Sequence, residues 1–207
     1  MIPPYRAQWE SAGLVAEFLA GRDAATDPLW RNSGATSAAE YARWSHHLCG
    51  AACLQMALGA RGRPVPPIHA VRRGVQAEGG YVETPKGDTQ GDLQGDIRGL
   101  IYAGANAWLA AQGLHAETVL DLDAADLPRL LATPGALFIA SVHPGIRRPA
   151  EAAPSRGGHL ILCFGVAADG AIRFHNPSGD TPASQADARI APDTLKNFFA
   201  GRGILIP

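Results

Sequence analysis

No apolar run in the 207 residues approaches the ~20 positions a helix needs to cross a bilayer. The N-terminus, MIPPYRAQWESAGLVAEFLAGRD, lacks the basic start and apolar stretch of an export signal, so a cytoplasmic location is expected. An excess of positive charge is missing too. Lysine plus arginine (18) almost balance aspartate plus glutamate (19), which leaves no field to hold a nucleic acid or an anionic membrane, and neither is expected as a partner. Cysteine is scarce and odd in number. Cys49 and Cys53 share one helical segment, so a disulfide framework is a poor account of the three, and free thiols in a reducing compartment are expected. His46, His47, Cys49 and Cys53 lack both the CxxC spacing and the second ligand pair of a zinc site, and no cofactor is called for. Internal repeats are absent.

What is present is a composition of 46% hydrophobic and 18% charged residues, ordinary for a packed globule, in a length that suits one domain over 1–207. Residues 1–63 read as a helical half. Trp9, Leu14, Val15 and Leu19 mark a helix over 7–20, Ser37 with Glu40 caps a second, and a third begins at Cys49 and stops before Pro64, Pro66 and Pro67. Residues 77–95, rich in glycine, read as a long surface loop. The segment DIRGLIYAGANAWLAAQG presents Ile97, Leu100, Ile101, Ala105 and Trp108 on one helical face, with Gly113 as its stop. Residues 114–207 change to β: ETVL, ALFIASV, HLILCFGV, AIRFHN and GILIP, with AADG turning HLILCFGV into AIRFHN as a hairpin. Helices first and antiparallel strands after make an α+β chain.

Three residues carry a possible chemistry. A cysteine attacks as its thiolate, and the first amides of a helix favour that charge, which is where Cys49 sits. Gly50 beside it is expected to let a substrate approach. His159, at the head of a strand, is a rigid mount for the base, and hairpin geometry brings Asn176 of the next strand near enough to orient its ring. Cys53 and Cys163 are read as core, and His175, alternating to the opposite face from Asn176, as no substitute for it. Arg147 and Arg148 are read as solvated charges on a loop that precedes His159 and is placed to cover the site.

The run LCGAACLQMAL resembles the nucleophile segment of the bacteriocin-processing, double-glycine leader peptidases, and GGHLILCFGVAADGAIRFHNPSG is similar to their histidine block, with Asn176 where that family usually has Asp. The resemblance runs over residues 41–207, weakly through 64–115, and implies a stand-alone papain-like domain, its helical half packed on an antiparallel sheet. It implies Cys49 as nucleophile, His159 as base and acid, and Asn176 as orienter. The chain departs from the family where a glutamine six or seven residues before the nucleophile helps bind the oxyanion: Ala42 and Arg43 stand there. Arg43 is the tentative oxyanion or substrate-binding group, with Trp44, Ser45, His46 and His47 as alternatives. The expected activity is that of a cysteine hydrolase or acyltransferase on a peptide, amide or acyl-thioester, including one carried on a protein. The rival is an inactive papain-like domain that holds a peptide or partner protein. Nothing in the sequence sets the oligomeric state.

Overall fold

The computed structural model describes residues 2–84 and 97–207, so most of the predicted glycine-rich loop lies outside the described residues. The first helix, α1 (Val15–Leu19), follows a 3-10 turn and is shorter than the expected 7–20. Ser11 explains the difference. Its N–H and hydroxyl both go to the Asp27 carboxylate, at 3.1 and 2.6 Å, which draws the backbone away from a helical path. Trp9, Val15 and Phe18 are buried there, whereas Leu19 is exposed. Helix α2 (Ala38–Ser45) begins at Ser37, whose hydroxyl accepts the Glu40 N–H at 3.1 Å. The Glu40 carboxylate binds Thr36 instead of completing a capping box with Ser37.

Helix α3 (Cys49–Ala60) is apolar all round, with Ala51, Ala52, Cys53, Leu54, Met56, Ala57 and Leu58 fully buried, as a helix enclosed on every side must be. Gly50 lets it approach the sheet. A Cβ there would lie 2.9 Å from two Leu100 carbons and 3.1 Å from Leu160 Cδ1, so this glycine serves packing and is not the open substrate path expected of it. Helix α4 (Ile68–Ala77) was not anticipated in the sequence after the proline break; it buries Ile68, Val71 and Val75, and Pro67 sits at its cap position, where a missing N–H costs nothing. Helix α5 (Tyr102–Ala111) starts later than predicted, because Ile97 is held extended in a bridge to Glu83, and ends before Gly113 at φ +75°.

The remaining elements are β1 (Glu117–Val119), α6 (Leu127–Leu131), β2 (Leu137–Val142), β3 (His159–Val166), β4 (Ile172–His175), α7 (Pro182–Gln185), β5 (Ala188–Ile190), α8 (Pro192–Leu195) and β6 (Phe199–Ile206). The strands form an antiparallel sheet in the order β1-β6-β2-β3-β4-β5. The AADG turn closes the β3–β4 hairpin through Ala167 N–H to Ala171 O at 2.8 Å. Alternation sorts the sheet into two cores. Leu137, Ile139, Leu160, Leu162 and Phe164 face α3, α4 and α5, while Phe138, Ala140, Ile161 and Cys163 face α6, α8 and Phe198. The chain is therefore α+β, with the helical half packed on an antiparallel sheet. No helix among the described residues is long and apolar enough to cross a membrane.

Candidate active site

A cleft of about 550 Å³ opens where the start of α3 meets the start of β3, and Cys49 and His159 both line it. Cys49 is half-buried and heads α3, where the first amides have no partner within the helix. Ala51 N–H is satisfied by the buried Tyr81 hydroxyl at 3.0 Å. Burial pushes the Cys49 thiol above its ordinary value. The N–H groups of Leu160, Gly50 and Cys49 itself act against that shift, as does the charge of Arg147, without cancelling it. The helix start therefore favours the thiolate as expected, while desolvation acts in the opposite direction and is the larger of the two effects. Cys53 and Cys163 are fully buried and their thiols are pushed up by burial as well.

His159 is buried, and its Nε2 lies 2.8 Å from Asn176 Oδ1 and 3.0 Å from Ser178 Oγ. The tautomer follows from the neighbours. Ser178 N–H can only donate, and it lies 3.1 Å from the same Asn176 atom, which must therefore be the carbonyl oxygen. An oxygen accepts, so Nε2 carries the ring proton and Nδ1 keeps its lone pair, in a cleft that Cys49 also lines. Ser178 Oγ fits this arrangement, because it accepts from Arg147 Nη2 at 2.6 Å. Burial pushes the imidazole down to about 4; the Asn176 hydrogen bond works against that and the Arg147 charge adds to it. Burial therefore works against charge on both Cys49 and His159.

Arg147 is not the solvated charge expected. It is half-buried, its Nε donating to Ser178 O at 2.5 Å, and it fixes the turn that carries both partners of His159. Arg148 is exposed as expected and pairs with Asp180 at 2.6 Å. His175 lies on another face: its Nδ1 accepts from Asp187 N–H and its Nε2 donates to Pro3 O at 2.8 Å. The extended N-terminal segment braces the same turn. Tyr5 donates to Asn176 O at 3.1 Å, Gln8 N–H to Pro177 O at 2.9 Å, and Gln8 Nε2 to Ser45 O at 2.9 Å, tying the turn to the segment leading into α3. Ser178, Tyr5 and Gln8 were not singled out by sequence. Ser178 had one signal, its place two residues after Asn176, which also reads as ordinary turn chemistry.

Of the residues that stand in for the upstream glutamine, Arg43 does not line the cleft. Its Nε and Nη2 both reach Glu83 Oε1 at 2.7 Å. Trp44 and Ser45 are buried, whereas His46 and His47 reach the cleft wall, and burial lowers His46. The far wall carries Tyr102, Ser141 and Arg202.

Neither a family model nor a curated protein matches the chain. Among solved structures it is similar to a double glycine motif protease from an AMS/PCAT transporter, determined as a crystal structure in complex with the leader peptide. The two are 16% identical with a TM-score of 0.48, and the match covers 77% of this chain and 84% of that one.

Proposed function

We propose that this chain is a papain-like cysteine hydrolase or acyltransferase that works through an acyl-enzyme on Cys49. The observation that carries the proposal is the locked tautomer of His159, whose Nε2–H is held by Asn176 Oδ1 at 2.8 Å, leaving Nδ1 as a base in the cleft that Cys49 lines. Cys49 Sγ attacks the carbonyl carbon of a peptide, amide or thioester while its proton passes to Nδ1. Asn176 then holds the imidazolium in place. As the tetrahedral adduct collapses, Nδ1 returns the proton to the leaving amine or thiol and an acyl-thioester remains on Cys49. Water gives hydrolysis and an amine gives transfer; the incoming nucleophile loses its proton to Nδ1 in either case. The oxyanion is served by the backbone N–H of Cys49 at the start of α3, with His47 of the cleft wall as the side-chain candidate in place of Arg43.

A short peptide thioester tests this directly. Intact-mass analysis is expected to show an acyl adduct on the wild type and none on Cys49→Ala, and slow acylation on His159→Ala. Adducts that persist in Cys49→Ala would refute the assignment. The neutral resting pair favours a second reading, a binding domain that has lost its chemistry, because a thiol raised by burial is a weak nucleophile. Absence of acylation together with retained peptide binding would select that reading.

A further inference from the structure

Opposite the thiol, the cleft wall is built by an irregularity in the sheet. Strand β6 pairs with β2 at Gly203 to Ala140 and again at Phe199 to Val142, so Ala200, Gly201 and Arg202 together oppose Ser141 alone. Gly201, at φ +69°, supplies the left-handed turn of this bulge, and its carbonyl is held by Leu122 N–H at 2.8 Å. A bulge of this kind re-aims a side chain, and here the re-aimed one is Arg202, which lines the cleft with Ser141 and Tyr102. The three converge. Burial raises the pKa of the Tyr102 hydroxyl, and its neighbours Ser141 and Arg202 act against that shift. A Cβ on Gly157 would lie 3.3 Å from Ser141 Oγ and 3.8 Å from Arg202 Nη2, so the side-chain-free Gly157, at φ +87°, leaves room where the hydroxyl and the guanidinium meet.

Among the described residues, none that lines the cleft is acidic and Arg202 makes no ion pair. Arg147, the cation that acts on the thiol, is occupied with Ser178 and does not line the cleft. One guanidinium flanked by two neutral hydroxyls matches a single negative charge with several acceptor lone pairs. We propose that Arg202, Tyr102 and Ser141 form a subsite for a substrate carboxylate, so that the acyl group or leaving group accepted at Cys49 carries an acidic side chain or a terminal carboxylate near the bond attacked. This rests on Cys49 being the reactive thiol. Arg202 is exposed, so its attraction for a carboxylate is screened by salt.

Two maleimides of similar size test it: N-ethylmaleimide, which is neutral, and 3-maleimidopropionate, which carries a carboxylate. The readout is the ratio of their rates at Cys49, from mass spectrometry of the peptide that contains it, at low salt. In the wild type the ratio is expected to exceed that of a small free thiol. Arg202→Met is expected to lower it about tenfold, the order of one charge-assisted hydrogen bond. Arg202→Lys is expected to keep most of it, and Arg129→Met, on exposed α6, to leave it unchanged. An Arg202→Met ratio equal to the wild-type ratio overturns the subsite. If N-ethylmaleimide labels Cys49 no faster than Cys53 and Cys163, the nucleophile assignment fails instead. The ratio still decides the subsite in that case, because it compares two reagents at one thiol.

Discussion

The shared proton on His159 Nε2 gives the sharpest test of the site. Two acceptors compete for it, Asn176 Oδ1 at 2.8 Å and Ser178 Oγ at 3.0 Å, and the ring is buried. Removing either by Asn176→Ala or Ser178→Ala leaves the other in reach, so each single change should cost about 1 kcal/mol, or roughly fivefold in rate. Asn176→Ala should cost the more of the two, because Ser178 N–H loses its acceptor as well. The double variant differs in kind. The buried N–H then has no acceptor, a penalty of about 1–3 kcal/mol beyond the singles, and the ring relieves it by moving the proton to Nδ1. That tautomer has no lone pair for the thiol. The double should therefore fall by a few hundredfold where simple addition gives about thirtyfold, a coupling of about 1–2 kcal/mol. The assay needs no substrate: the second-order rate of Cys49 alkylation by iodoacetamide at neutral pH, with the denaturation midpoint measured in parallel. A double-variant rate equal to the product of the single effects would refute the shared-proton lock.

Arg147→Met should raise the pKa of His159, since a cation facing the ring is removed, and move the acid limb of Cys49 alkylation to higher pH. Arg147→Lys should leave that limb in place but lower the rate, because lysine cannot grip Ser178 at two atoms; an unmoved limb in Arg147→Met counts against the electrostatic role. Stability should fall on acidification. Burial holds His159 and His69 near 4 in the folded state, below the ordinary value of 6.5, so the unfolded chain takes up more protons through that window. The two contributions are fully present above pH 6.5 and together remove about 6 kcal/mol as the pH falls to about 4. Urea midpoints measured from pH 7 to 4.5 check the slope, and His69→Gln should remove about half of it. Gly50→Ala places a methyl 2.9 Å from Leu100 and should cost about 1–3 kcal/mol in thermal stability. An unchanged melting temperature would show that α3 has more room than its packing implies.

The parts of this molecule that were legible in the sequence are those in which a local rule and the tertiary context agree. The AADG turn dictates the β3–β4 hairpin, and the hairpin brings Asn176 to the same end of the sheet as His159, 2.8 Å from its Nε2. Ser37 caps α2 by a contact only three residues long. What was missed depends on partners far along the chain. Ser11 leaves the helical path for Asp27, and Ile97 leaves it for Glu83. Ser178 acquires its meaning from Arg147, 31 residues away, and Tyr5 from Asn176, 171 residues away. Helix α4 is hard to see in the sequence because Pro64, Pro66 and Pro67 signal the end of α3, while Pro67 also stands at the N-cap of α4, ahead of any N–H the helix needs.

Asn176 and Arg147 belong to one electrostatic design. An aspartate at position 176 would bring a negative charge against His159 and favour the imidazolium. Asparagine supplies the same acceptor oxygen without the charge, and the nearest charge to reach the ring is the opposite one, Arg147 acting through Ser178. That cation disfavours the imidazolium and favours the thiolate, so its two effects on the resting proton transfer oppose each other. The pair gains no stable charge separation before substrate binds. The proton should leave Cys49 only as the carbonyl carbon is attacked, when negative charge passes from sulfur to an oxyanion that the free amides at the start of α3 can stabilise.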